Sequence, residues 1–123
     1  MTLNSRRLNG HVIVETSGQV EAGESCVRFH EFAKQLIASG EHFFVIDMAR
    51  LSYIDSAGLG LLLSIYATLT LQNGNLKLLN VPDPIREALG ITNLTQVFEI
   101  FDDESRAVAD KGPAADATSG RTA

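Results

Sequence analysis

The chain has 123 residues, 45% of them hydrophobic and 20% charged, which supplies one globular core and is too short for two independent domains. Ten Lys plus Arg against fifteen Asp plus Glu give a formal charge of -5, so the long-range field opposes binding to nucleic acid or an anionic membrane surface. The single cysteine, Cys26, excludes an internal disulfide, and with only three scattered histidines it makes a poor set of metal ligands; a reducing, cytoplasmic setting is expected.

Met1 to Gly10 carries two arginines and no apolar stretch after them, so no signal peptide is expected. Asn9-Gly10 lies between Thr2–Leu8 and His11–Thr16 and supplies the positive φ angles of a two-residue hairpin turn. From Glu24 to Ser39 the residues Cys26, Phe29, Ala33, Leu36 and Ile37 recur at spacings of three and four, and Gly40 follows; this predicts an amphipathic helix. Phe43–Met48 (FFVIDM) is a nearly continuous apolar run, as expected of a central parallel strand covered on both faces. Ala49 to Ile54 is expected to be a linker.

Ser56 to Leu76 contains no charged residue. Its strongly apolar part, Ala57 to Leu71, would reach about 22 Å as a helix against about 30 Å of hydrocarbon, which points to a buried helix and not to membrane insertion. Asp55 or Ser56 is placed to cap it, and the helix should end by Gly74. Asn75–Asn80 reads as a strand. Asp83 as cap, Pro84 at the first helical position and Gly90 mark a short third helix. Val97–Phe101 is a last strand, and Asp102-Asp103-Glu104 opens a final helix that fades near Asp110. Lys111 to Ala123 holds no large apolar residue, so residues 1–110 are expected to form the domain and 111–123 a disordered tail. Alternating strands and helices predict an α/β fold: a mixed, mainly parallel sheet of about five strands opening with a hairpin, with about four helices.

Enzymatic motifs are mostly missing. Gly58-Leu59-Gly60 continues into three leucines, without the third glycine of a dinucleotide fingerprint or the Gly-Lys-Ser/Thr of a phosphate loop, so no cofactor is expected. Ser56 follows Ile54-Asp55 and is not in a Gly-x-Ser-x-Gly elbow. His11, His30 and His42 read as surface or edge residues. Asp47 could be a buried catalytic carboxylate, but a hydrogen-bonded residue near a strand end is the simpler reading. Cys26, on an apolar stripe, reads as a small core residue.

What remains is Tyr53-Ile54-Asp55-Ser56-Ala57-Gly58-Leu59-Gly60, a hydroxyl where a strand exits into a helix. Glycine in a helix costs about 1 kcal/mol relative to alanine, so Gly58 and Gly60 point either to tight internal packing or to close approach by another surface. A phosphate on Ser56 would add about 1.5 to 2 negative charges beside free helical N–H groups that can hold them. Leu62, Ile65 and Leu69 form an apolar stripe, and Gly60, Ser64 and Thr68 a small uncharged one that suits a protein partner or a second copy of the chain, as in a homodimer. The alternative is a plain capped helix buried all round.

From Leu3 to Ala109 the chain resembles the STAS domain family of bacterial anti-sigma factor antagonists. The resemblance is carried by the hairpin ending in Ser17-Gly18-Gln19-Val20, by FFVIDM, YIDSAGLG and GNLKLLNV, and by LGITNLTQVFEIFDDE. It implies a non-enzymatic regulator whose phosphoacceptor is Ser56. The unphosphorylated form would bind an anti-sigma factor that is also a histidine-kinase-like serine kinase; phosphorylation would end the binding, and a phosphatase would restore it. ATP would belong to the kinase. The implied partner surface comprises Asp55, Ser56, Ala57, Gly58, Leu59 and Gly60, with Glu21 in the loop after the second strand, where the family usually has aspartate. Ala57 stands where a second serine is frequent. The family also implies an alternative: a non-catalytic scaffold or regulatory subunit of a stress-sensing complex or a lipid-transport ATPase.

Overall fold

The computed structural model describes residues 1–110; the expected disordered tail, 111–123, lies outside them. The elements run β1 (Thr2–Leu8), β2 (His11–Val20), α1 (Glu24–Ala38), β3 (Phe43–Ile54), α2 (Ser56–Leu71), β4 (Asn75–Leu79), α3 (Asp83–Ile91), β5 (Glu99–Phe101) and α4 (Glu104–Ala107), with a 3-10 turn at Leu94–Gln96. The five strands lie in sequence order. β1 is antiparallel to β2, and every later pairing is parallel, giving the expected mixed α/β sheet. Asn9 (φ 53) and Gly10 (φ 81) make the hairpin turn as their sequence predicts.

Sequential parallel strands need a crossover helix each time, and right-handed crossovers in one direction stack the helices on one face. The main core accordingly joins Val12, Val14, Phe44, Ile46, Leu76 and Leu78 of the sheet to Phe29 and Ala33 of α1, Leu62, Ile65 and Leu69 of α2, and Ile85 and Leu89 of α3. The alternate sheet residues Ile13, Val45 and Leu79 pack on the opposite face against Ala107 and Val108. FFVIDM is therefore covered on both faces, as its continuous apolarity requires.

Several boundaries differ from expectation. The expected linker Ala49–Ile54 is the second half of β3, and β2 runs to Val20 instead of stopping at Thr16. These halves pair with each other, Ser17 with Arg50 through Val20 with Ile54, after one register shift between Glu15 and Ser17 and across a second between Gly18 and Gln19. Their sequences are mostly polar because only Val20, Leu51 and Ile54 of these halves are buried. α3 is capped by the backbone of Pro82, with Asp83 and Pro84 already inside its first turn. β5 covers only Glu99–Phe101, because the chain before it coils into the 3-10 turn and buries Leu94 and Phe98. α4 is a single turn.

The largest correction concerns His11, which is 1% exposed rather than on a surface or open edge. It lies edge-on to Phe43, its Nδ1 is 2.9 Å from the Asn9 carbonyl, and its Nε2 is 2.9 Å from Asp110 Oδ1 without being aligned for a hydrogen bond. Lys77, in mid-strand and 3% exposed, donates from Nζ to Ala107 O and to Asp110 Oδ2, each at 2.8 Å. Arg6 pairs with Glu104, and the Asn9 amide donates to Val108 O. Four polar side chains from three strands and the hairpin turn thus hold one short helical turn over the sheet. Asp110→Ala should lower the unfolding free energy by about 1–3 kcal/mol, the cost of withdrawing a partner from a buried charged donor; urea denaturation of the full chain measures it.

Candidate functional site

The paired second halves of β2 and β3 end side by side at Val20 and Ile54, so the β2–α1 loop and the start of α2 leave the sheet together. Asp55 joins them. Its backbone N–H donates to Val20 O (3.1 Å), its Oδ2 accepts from Ala22 N (2.9 Å) and its Oδ1 from Gly58 N (2.9 Å). The N-cap is therefore Asp55, and Ser56 is the first helical residue. The loop is also tied from its other side: Ser25 Oγ accepts from Glu21 N (2.8 Å) and donates to Glu21 O (2.9 Å). Gly23, at φ 107, then turns the chain into α1.

The N–H groups of Ala22 and Gly58, in that order, hold the Asp55 carboxyl below the usual carboxylate range. Burial, followed by the Asp55 charge, pushes the Cys26 thiol up, so its neighbourhood disfavours the reactive thiolate. Cys26 is half-buried at the edge of the core instead of fully inside it. Asp47 takes the hydrogen-bonded role: its Oδ1 accepts from Ala49 N (3.0 Å) and Asn80 Nδ2 (3.4 Å). Among the described residues, no group of three or more His, Cys, Asp or Glu is placed to hold a metal ion, and no helix is long and apolar enough to cross a membrane.

Glu21, Ser56, Ala57 and Gly60 are exposed, whereas Gly58 and Leu59 are buried. The two glycines thus have different causes. A Cβ on Gly58 would stand 2.6 Å from Ile54 Cγ1 and 2.9 Å from Val20 O, so this glycine lets α2 seat against the end of β2. A Cβ on Gly60 would meet nothing within 4 Å. Along α2, Leu62, Ile65 and Leu69 point inward, while Gly60, Ser64, Ala67 and Thr68 form an exposed face without charge. Sequence reasoning located Ser56 but missed the support from Ser25 and from the backbones of Val20 and Ala22; the only local signal was the Glu21-to-Ser25 spacing.

A family model described as the STAS domain matches residues 2–107. The chain belongs to the STAS domain family. A curated relative from Bordetella bronchiseptica, named "Putative anti-sigma factor antagonist BtrV", is 29% identical over 109 residues, covering 89% of this chain and 93% of that protein. The anti-sigma F factor antagonist of Paenibacillus polymyxa is 24% identical over 101 residues, covering 82% of this STAS chain and 86% of that protein. The solved phosphorylated form of the Bacillus cell fate determinant SpoIIAA superposes with a TM-score of 0.70 at 20% identity, covering 88% of this chain and 97% of that one. The likeness to SpoIIAA establishes the shared fold.

Gly58→Ala should destabilise the STAS domain by about 1–3 kcal/mol through overpacking, whereas Gly60→Ala should stabilise it by up to about 1 kcal/mol through helix propensity; paired denaturation curves measure both. Because the folded pKa of Asp55 is depressed, its stabilising contribution is present above the unfolded value of about 3.9 and disappears as pH falls through the folded value. The stability gap between wild type and Asp55→Asn should therefore be constant near neutrality and close on acidification below about pH 4, as read by denaturation at a series of pH values.

Proposed function

We propose that this STAS domain is an anti-sigma factor antagonist that works by partner switching in the cytoplasm, with residues 1–110 as the working unit and Ser56 as the phosphoacceptor. The unphosphorylated form binds an anti-sigma factor with histidine-kinase-like serine kinase activity. Phosphate on Ser56 ends that binding, and a phosphatase restores it. The contact surface is Glu21 with the exposed residues at the start of α2, Ser56, Ala57 and Gly60, while Asp55 and the buried Gly58 and Leu59 hold that turn in place. The chain supplies the acceptor hydroxyl and the docking surface, and the kinase supplies ATP.

The observation that carries this reading is the division of labour between Asp55 and Ser56. Asp55 caps the helix, which leaves Ser56 exposed in its first turn, with its hydroxyl not spent on the cap. A phosphate there adds about 1.5 to 2 negative charges beside Asp55 and next to an uncharged helix face. It would repel or desolvate a partner seated there while leaving the core untouched. The names of the two relatives described above, each an anti-sigma factor antagonist, support the same role.

The test is incubation of the full chain with ATP and candidate histidine-kinase-like anti-sigma factors, followed by intact mass and phosphopeptide mapping. One phosphate on wild type and none on Ser56→Ala is the expected result. Ser56→Ala should retain partner binding and change stability by less than about 0.5 kcal/mol, because the cap is on Asp55. Ser56→Asp should weaken partner affinity by about tenfold, since one carboxylate carries less charge than a phosphate. Stable capture of a partner or a transporter ATPase without phosphorylation would replace this reading with that of a scaffold or regulatory subunit.

A further inference from the structure

Capping a helix takes one acceptor oxygen, and serine, threonine or asparagine would serve at position 55. Asp55 uses two. Oδ1 caps α2 at Gly58 N, while Oδ2 reaches back 33 residues to Ala22 N in the β2–α1 loop, both at 2.9 Å. Of the short side chains that cap helices, only aspartate presents two acceptors diverging from one carbon. Its own N–H fastens to Val20 O, the atom that a Cβ on Gly58 would crowd at 2.9 Å. Five groups at one junction therefore hold the β2–α1 loop against the Ser56 end of α2: the backbone N–H groups of Ala22, Asp55 and Gly58, the Val20 carbonyl and the absent side chain of Gly58.

We propose that Asp55 is a positioning residue that joins the Glu21 loop and the Ser56 end of α2 into one recognition surface, acting through Ala22 and not by touching the partner. This rests on the proposed role of Ser56 and Glu21 in docking an anti-sigma factor kinase. The two surface segments are separated in sequence by the whole of α1 and β3, so a partner that reads both depends on their relative placement. Ser25 fixes the loop to α1 through Glu21, and among the side chains of the described residues bonded to this loop Asp55 alone fixes it to α2. The ionised carboxylate is required, because a protonated or amide side chain keeps only one good acceptor for two N–H donors.

The experiment compares wild type, Asp55→Ser, Glu21→Ala and the double variant as full chains. Asp55→Ser keeps one oxygen for Gly58 N–H and cannot bridge to Ala22. Amide exchange in the free protein should be at least about tenfold faster at Ala22 in Asp55→Ser, with the α2 amides still protected. Kinase affinity should fall about tenfold in each single variant and little further in the double, because both changes disable the same loop. With the kinase, KM for the chain should rise more than kcat falls, since the Ser56 hydroxyl is unchanged. Equal Ala22 exchange in wild type and Asp55→Ser overturns the proposal, whatever any kinase does. Additive affinity losses overturn it too, by making Asp55 an independent contact. If Asp55→Ser does not fold, Asp55→Asn is read in the same way. Failure of every kinase to bind wild type would defeat the proposed function instead, and the exchange result would still decide the clamp.

Discussion

The parallel pairing of β2 with β3, sustained from Val12 opposite Phe44 to Val20 opposite Ile54, is the constraint on which the rest of the molecule depends. Parallel strands deliver their exits to the same edge of a sheet. Here those exits are the β2–α1 loop and the first turn of α2, so an exposed serine and a loop far away in sequence become neighbours through the strand pairing. The second halves of both strands are too polar to be held by burial alone. Val20, Leu51 and Ile54 anchor them, and their ladder hydrogen bonds do the rest. Asp55 then locks the two exits with a carboxylate that is ionised and satisfied by backbone donors on both sides.

The two faces of the sheet are closed by different physics. Three helices cover one face with aliphatic and aromatic side chains, whereas among the described residues the other is covered by one helical turn that brings Ala107 and Val108. So little apolar area holds a segment weakly. The difference is made up by Lys77 and His11 beneath Asp110, and by Arg6 and Asn9 at the hairpin. A buried lysine in mid-strand is tolerable only because its amine meets a carbonyl and a carboxylate together.

α2 shows how the same residue type can answer two demands. Gly58 is glycine because the end of β2 leaves no room for a Cβ, and Gly60 has open space in front of it. Both weaken the helix locally, yet only the first is explained by the chain's own packing. An exposed helix face with no charge and a glycine facing open space accepts a closely approaching protein surface at small desolvation penalty. That agrees with the anti-sigma factor antagonist role borne by the relatives and proposed for this STAS domain.

The sequence alone determined whatever is written in short-range pattern. Periods of two and 3.6 placed the order of strands and helices, Asn9-Gly10 placed the hairpin, and the uncharged run after Asp55-Ser56 placed the helix carrying the candidate phosphoacceptor. Its motifs also resembled those of the family that the comparisons then established. Several features were decided only by the tertiary structure. Residues 49–54 are strand because a partner strand lies beside them; Asp55 is a clamp as well as a cap because its second oxygen finds Ala22; the buried Lys77 amine is satisfied because Asp110 and Ala107 lie against it. In each case the deciding partner is remote in sequence. A hydrogen bond or ion pair between distant residues leaves no periodicity in the chain, and only the folded sheet brings its two ends together.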